Sequence, residues 1–300
     1  MGQFAVRADE YLTLERKQVE FVVWDLVPRP GLTVVAGKPF VGKSLLALQL
    51  AQAVARGKPF LNRDSIQGRV LYFILESVMV WEDRLRKLKS RQFDLACDVF
   101  LPHPDTRPPR VNILEADSRK WIKAVIDEVT PDLIILDPFR ELHNADEDSS
   151  TEMKVVGDYV MSLAREAAVV VVHHTKKLQT TRDGRPPVMD PVDALRGSSY
   201  LAGKADTVWL LHKEDESKPW GTLRTVPRFA DRETIPLAQD PTTGLWGTVA
   251  GRTPAAVPAP EPTPTAHAPL VPALPPVPLE AATVPSQLLP GAFRPTRRRG

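Results

Sequence analysis

The hydrophobic pattern of this chain consists of short, continuous apolar runs that end in polar or small residues. The clearest runs cover residues 32–36, 70–75, 133–136 and 168–172. Runs of this length without polar alternation are typical of strands buried on both faces of a parallel sheet. Because longer segments of helical character lie between them, the pattern predicts an α/β fold with a mostly parallel central sheet flanked by helices.

The remaining elements follow from helix-forming composition and from turn residues. Four segments favour helices, namely 45–55, 81–89, 118–129 and 151–165. A further apolar run at 205–211 predicts one more strand. Three short segments separated by turn residues favour antiparallel edge strands near the C-terminus: 221–227, 233–237 and 245–249.

The composition changes abruptly near residue 251. Thirteen of the 30 prolines fall between Arg252 and Gly300, mixed with alanine and few aromatic residues. This composition favours a disordered segment, which ends in a basic run at 297–299. We therefore predict an N-terminal leader at 1–20, one folded domain at 21–250 and a proline-rich tail at 251–300.

Charge and cysteine content narrow the class of protein. The net charge is +2 over 300 residues, so a nucleic-acid contact is expected from a local patch or loop and not from a basic surface as a whole. No apolar run approaches the roughly 20 residues that span a bilayer, and the N-terminus is too polar for a signal peptide. Cys97 is the only cysteine. We expect a cytoplasmic protein with no membrane association and no internal disulfide.

Residues 37–44 fit the phosphate-loop pattern G-x-x-x-x-G-K-[ST], between a predicted strand and a predicted helix. The two glycines allow backbone torsions that point successive N–H groups at phosphate oxygens, and the helix N-terminus adds its dipole. The lysine supplies a positive charge, and the serine supplies a hydroxyl for Mg²⁺. The predicted nucleotide-binding residues are Gly37, Lys38, Pro39, Phe40, Val41, Gly42, Lys43, Ser44 and Leu45.

Two carboxylates lie at the carboxyl ends of predicted strands, where ligands gather in open α/β sheets. Asp137 follows the run 133–136, and an aspartate in this position holds Mg²⁺ in the second half of a phosphate-loop ATPase site. Many phosphate-loop enzymes place a water-activating glutamate directly after this aspartate, but here Pro138 follows. Glu76, at the end of a neighbouring strand, is therefore the candidate catalytic base.

These motifs occur in the order and spacing of RecA-like ATPases of the RepA/DnaB helicase group, and the chain resembles the single-domain RepA-type hexameric helicases. The motifs that carry the resemblance are 37–44, 74–76, 136–142, 173–177 and 195–199. The resemblance implies a RecA-like ATPase domain at 21–250 that uses ATP and Mg²⁺. It also implies a homo-oligomeric ring, a hexamer in this group, with ATP sites between subunits and single-stranded DNA through its centre.

The resemblance assigns catalytic and metal-binding roles as well. It gives Lys43 and Ser44 to the phosphates and Mg²⁺, Glu76 to the catalytic base and Asp137 to Mg²⁺. It implies that His174 senses the γ-phosphate, with His173 as the alternative.

Further roles implied by the resemblance concern the neighbouring subunit and the DNA. Arg228 is implied to reach a neighbour's γ-phosphate, with Arg224 as the alternative. The loop 176–192 is implied to face the central channel, where four residues contact the DNA backbone: Lys176, Lys177, Arg182 and Arg185.

The leading hypothesis is a replicative DNA helicase that translocates on single-stranded DNA. One alternative is a RecA-like regulatory or recombination ATPase that binds DNA without unwinding it, because this fold carries an ATPase prediction better than a helicase prediction. Another is a nucleotide-gated interaction module. In that hypothesis the proline-rich tail docks partners, and in the leading hypothesis the candidate partners of the tail are replication proteins.

Overall fold

The computed structural model describes residues 5–11, 19–90, 93, 98–147, 149–175, 190–192, 195 and 199–249. The chain divides into two units, Met1–Val257 and Pro258–Gly300, and the described residues all belong to the first. The predicted tail at 251–300 and most of the predicted DNA-facing loop lie outside the described residues, as do parts of the leader. The predicted boundaries between these parts stay predictions.

One sheet dominates the described part of the chain. Its strands, in chain order, are β3 (Gly31–Gly37), β4 (Val70–Ile74), β5 (Val99–Phe100), β6 (Leu133–Asp137), β7 (Ala168–His174), β8 (Thr207–His212), β9 (Trp220–Pro227), β10 (Glu233–Gln239) and β11 (Trp246–Thr248). In space they lie in the order β11-β10-β9-β8-β3-β7-β6-β4-β5. The strands from β8 to β5 in this order are parallel, and β9, β10 and β11 continue the sheet as antiparallel strands.

A small antiparallel hairpin precedes this sheet. It consists of β1 (Glu20–Val23) and β2 (Val27–Arg29), which pair with each other as a separate two-stranded sheet. The chain then enters β3, which lies inside the large sheet between β8 and β7. The sequence pattern did not predict this hairpin, because its strands are too short for alternation to be visible.

Helices cover both faces of the sheet, apart from a short N-terminal helix that buries no residue. They are α1 (Ala8–Tyr11), α2 (Lys43–Arg56), α3 (Val78–Ser90), α4 (Ala116–Val129), α5 (Ser150–Leu163) and α6 (Ser199–Lys204). Val35 and other alternate strand residues pack in one buried cluster with α2, and Val34 belongs to a second cluster with α4 and α5. Since neighbouring strand residues point to opposite faces, this explains why the strand sequences are apolar without interruption.

The predicted fold class is confirmed: the sheet is mostly parallel and flanked by helices, and antiparallel strands extend it near the C-terminus. The helix after the phosphate loop, α2, ends at Gly57, where a φ of 59° lets the backbone N–H donate to the carbonyl oxygens of Ala53 and Val54. Among the described residues, no helix has the length and apolar character to cross a membrane.

Candidate nucleotide-binding site

The carboxyl ends of β3, β7, β6 and β4 lie side by side and bring the predicted site residues to one edge of the sheet. Gly37 at the end of β3 pairs with His174 at the end of β7. Asp137 at the end of β6 pairs with Ile74 at the end of β4. The sheet register therefore gathers the phosphate loop, His174, Asp137 and, two residues beyond β4, Glu76.

The phosphate loop needs its glycines for two different physical reasons. A Cβ on Gly37 would lie 2.7 Å from the carbonyl oxygen of Leu211, so any other residue would collide with β8. Gly42 has a φ of 101°, which disfavours residues with a side chain, and its Cβ would lie 2.9 Å from Nε1 of Trp246. That indole N–H is 3.4 Å from the Gly42 carbonyl oxygen, so β11 packs directly on the loop.

Lys43 is nearly buried at the start of α2, with 4% of its surface exposed. Its Nζ donates to the carbonyl oxygens of Gly37 at 2.9 Å and Lys38 at 2.8 Å, and lies 3.2 Å from Nδ1 of His174. Burial lowers the pKa of Lys43 to about 8, although the charge of Asp137 opposes this shift. Burial and the nearby Lys43 lower the pKa of His174 to about 4, so its ring is neutral at pH 7 and can accept from the ammonium.

Ser44 and Asp137 form the candidate metal centre. The Ser44 hydroxyl donates to Oδ1 of Asp137 at 3.2 Å, which places a hydroxyl and a carboxylate oxygen next to each other. Such hard oxygen donors suit Mg²⁺, which takes one or two protein ligands and completes its shell with phosphates and water. Asp137 is 1% exposed, and burial raises its pKa to about 6. The residues present therefore fit a cation whose charge would offset that of the buried carboxylate.

Tyr72 is a member of this site that the sequence analysis missed. It lies in β4 with no exposed surface, and its hydroxyl donates to Oδ2 of Asp137 at 2.6 Å and lies 3.3 Å from the carbonyl oxygen of Ser44. Burial and the charge of Asp137 raise the Tyr72 pKa well above its ordinary value, so the hydroxyl keeps its proton. A tyrosine inside an otherwise apolar strand next to the Asp137 strand was the available signal, because a buried hydroxyl needs a partner.

Glu76 is held at the same edge by two arginines that the sequence analysis did not single out. Nη1 of Arg84, on α3, lies 3.3 Å from Oε1 of Glu76. Arg107 donates to the carbonyl oxygens of Leu75 at 2.7 Å and Glu76 at 3.4 Å, which fixes the backbone beyond β4. About a third of the Glu76 side chain is exposed, so water can reach the carboxylate.

The two histidines at the end of β7 point in different directions. His173 is 6% exposed, its Nδ1 donates to the carbonyl oxygen of His174 at 2.6 Å, and its ring lies 5.4 Å from that of Phe139 in the interior. Burial lowers its pKa to about 4. His174 contacts Lys43 directly, which places its ring next to the phosphate loop.

Arg228 lies at the opposite end of the strands, where β8 begins. It follows β9, whose last residue Pro227 pairs with Thr207 at the start of β8. Its side chain donates to the carbonyl oxygens of Gly203 and, at 2.8 Å, Ala205. The structure therefore does not bring Arg228 together with the phosphate loop of its own chain.

The alternative, Arg224, lies within β9 and pairs with Leu210 of β8. Four further predicted residues lie outside the described residues, so their DNA contacts stay a prediction: Lys176, Lys177, Arg182 and Arg185. Among the described residues, no group of three or more histidine, cysteine, aspartate or glutamate side chains could hold a metal ion by itself.

The strand order, the phosphate loop and the carboxylate at the end of β6 define a phosphate-loop ATPase domain with the RecA-like fold. The chain belongs to the AAA domain family, whose model matches residues 3–180. A search of curated proteins finds no match. Family and fold together confirm the predicted ATPase domain with the RecA-like fold.

Two solved structures are similar to this chain. The ATPase domain of a phage helicase aligns with a TM-score of 0.54 and 17% identity, over 74% of this chain and 85% of that one. A KaiC-like protein from the archaeon Pyrococcus horikoshii aligns with a TM-score of 0.46 and 9% identity, over 76% of this chain and 93% of that one. At 17% identity, the similarity to the helicase ATPase domain shows a shared fold alone.

Proposed function

We propose that this ATPase hydrolyses ATP with Mg²⁺ as a ring, hexameric in the manner of RepA-type helicases, and translocates on single-stranded DNA as a replicative helicase. The observation that carries the proposal is the convergence of Lys43, Ser44, Asp137 and Glu76 on one edge of the sheet. A phosphate cradle, a metal-binding pair and a carboxylate open to water are the groups that phosphoryl transfer to water requires.

Each residue has a defined task in this mechanism. The loop N–H groups and Lys43 bind the β- and γ-phosphates, and a Lys43 pKa of about 8 leaves most of the ammonium charged at pH 7. Ser44 and Asp137 would hold Mg²⁺, which neutralises phosphate charge when bound. Glu76 accepts the proton of the attacking water. His174, which already contacts Lys43, is positioned to exchange this contact for one to the γ-phosphate.

The ring is supported by the position of Arg228. Because it lies at the edge of the sheet opposite to its own phosphate loop, it can reach a γ-phosphate only in another copy. It would first have to leave the carbonyl oxygens of Gly203 and Ala205. An arginine supplied across an interface can raise the rate by about 10³-fold or more, which would couple hydrolysis to assembly.

Coupling to DNA is supported by the point where the predicted DNA-facing loop begins. The Thr175 N–H donates to the Gly37 carbonyl oxygen at 3.1 Å, and the same oxygen accepts from Lys43. Thr175, the last described residue before the predicted DNA-facing loop, is therefore bonded to the end of β3, where the phosphate loop begins. A shift of the phosphate loop on ATP hydrolysis would therefore move Thr175, from which the predicted DNA-facing loop continues. We further propose that the tail at 251–300 binds replication proteins and that the protein acts in the cytoplasm.

ATPase assays with and without single-stranded DNA test the proposal. Glu76→Gln should bind ATP like the wild type and lose about 10²-fold or more of its turnover, because the amide cannot accept a proton. Glu82→Gln is the matched control, since Glu82 forms only a surface pair with Arg86. Turnover near the wild-type level in Glu76→Gln would show that the base is misassigned. No stimulation by DNA, together with a monomer in ATP by light scattering, would refute the helicase.

A further inference from the structure

Phe40 occupies an unusual position for an aromatic residue. It lies in the phosphate loop with a φ of 61°, in the left-handed region that favours glycine, and its side chain is fully exposed. The backbone conformation and the exposure of the ring both cost free energy in the isolated chain. A residue that is strained and exposed at a functional loop is a candidate contact residue.

A second exposed aromatic residue lies at the other end of the sheet. Phe229 is 50% exposed and directly follows Arg228 in the turn between β9 and β10. Phe40 lies three residues beyond Gly37, the last residue of β3, whereas Phe229 lies two residues beyond Pro227, which pairs with Thr207 at the start of β8. Since Thr207 pairs with Thr33, four residues before Gly37, these two strand ends are about 13 Å apart at about 3.3 Å per residue. Phe40 and Phe229 lie beyond these ends in opposite directions, so the two rings do not touch within one chain.

We propose that Phe40 packs against Phe229 of a second copy and thereby seats the turn that carries Arg228 on the phosphate loop. This rests on the proposed function, in which Arg228 completes a neighbour's site. Consecutive Cα atoms are only about 3.8 Å apart, so a copy that delivers Arg228 to the phosphates also brings Phe229 close to the loop. The two copies use different surfaces in this contact, and a contact of that kind gives a ring when the rotation between copies closes.

The charges around this contact predict that it depends on nucleotide. Lys38 and Lys43 give the loop two positive charges, and the turn 228–232 keeps a net charge of +1 from Arg228, Arg232 and Asp231. Two cationic surfaces repel each other unless an anion lies between them. A nucleotide triphosphate in the loop supplies that anion, so the aromatic contact should form in ATP and weaken without it.

Site-directed cross-linking in the full chain tests the geometry. Phe40→Cys and Phe229→Cys are combined in one chain that also carries Cys97→Ser. A bismaleimide whose spacer is shorter than the separation of these two positions within one chain is added with and without Mg²⁺ and ATP. Because an intrachain link cannot span the sheet, the double variant should give a ladder of covalent oligomers in ATP, and each single variant should give none. The inference is wrong if wild type assembles but no ladder forms, or if Phe40→Cys alone links to itself.

Assembly measured by sedimentation in ATP provides an independent readout. Phe40→Gly suits the backbone torsion, so the fold should be kept while assembly weakens at least tenfold. Phe229→Ser should weaken assembly similarly. The double variant should assemble as well as the single variant with the larger loss, because both substitutions remove the same contact. Val155→Ala, on α5 and 46% exposed, is the control and should assemble like the wild type.

The outcomes separate the two proposals. Additive losses, or unchanged assembly in Phe40→Gly, would overturn the aromatic contact while leaving the proposed ATPase intact. A wild-type chain that stays monomeric in ATP overturns the contact and the ring together. ATP hydrolysis that survives in Glu76→Gln contradicts the catalytic role of Glu76 and leaves the aromatic contact unaffected.

Discussion

The buried carboxylate of Asp137 should contribute less to stability at neutral pH than at mildly acidic pH. Burial raises its pKa from 3.8 to about 6, whereas the hydrogen bonds from Tyr72 and Ser44 lower it. Burial is the larger effect, so the folded state binds this proton more tightly than the unfolded state does. The resulting stability is fully present below the unfolded pKa and is lost as pH rises through the folded pKa, from about pH 4 to about pH 6.

The magnitude follows from the size of the shift. A change of about two units at 1.36 kcal/mol per unit corresponds to about 3 kcal/mol of folding free energy. Asp137→Asn removes the charge and keeps a similar shape, because its oxygen can accept from Tyr72 and its amide can donate to Ser44. We expect this variant to be about 3 kcal/mol more stable than the wild type at pH 7. The two proteins should converge near pH 4.

Urea unfolding followed by tryptophan fluorescence measures this difference, since Trp81 is buried and its ring lies 5.1 Å from that of Tyr72. Other groups titrate in the same range, among them His173, but they are present in both proteins and cancel in the comparison. Asp83→Asn, which removes an exposed carboxylate from a pair with Lys87, is the control and should change stability by less than about 1 kcal/mol.

Parallel pH profiles for the wild type and Asp137→Asn between about pH 4 and about pH 7 would refute the reasoning. They would mean that hydrogen bonds compensate fully for the loss of hydration. If the difference is found, ionised Asp137 destabilises the fold, and a bound cation can offset this cost. Mg²⁺ with ATP should then stabilise the wild type more than the variant at pH 7.

Two other substitutions test the geometry of the site. Gly42→Ala should destabilise the fold by about 2 kcal/mol, because its φ of 101° disfavours a side chain and its Cβ would collide with Trp246; thermal unfolding measures this, and a variant as stable as the wild type would contradict the described loop. Tyr72→Phe removes a hydrogen bond to the Asp137 carboxylate and should cost about 1.5–3 kcal/mol at pH 7, with weaker Mg²⁺-dependent ATP binding by titration calorimetry. Unchanged stability and affinity in that variant would mean that Asp137 is held by Ser44 alone.

Much of the fold could be predicted because its signals are local. An uninterrupted apolar run identifies a buried strand, and the glycines and lysine of the phosphate loop lie within a few residues of each other. Asp137 and Glu76 were singled out by their positions just after such runs. Their catalytic roles stay proposals, but their shared location at one edge follows from the parallel pairing of β4 and β6.

The fold class, the phosphate loop and the strand ends that carry charged residues could all be recognised from local patterns in the sequence. The residues that support them come from far along the chain and meet them only in the folded molecule: Tyr72 is 65 positions from Asp137, and Trp246 is 204 positions from Gly42. In the folded chain His174 contacts Lys43, and Arg228 lies at the end of the strands opposite to its own phosphate loop. These relations depend on strand order and register, which are set by packing between segments far apart in the chain and leave no local pattern in the sequence.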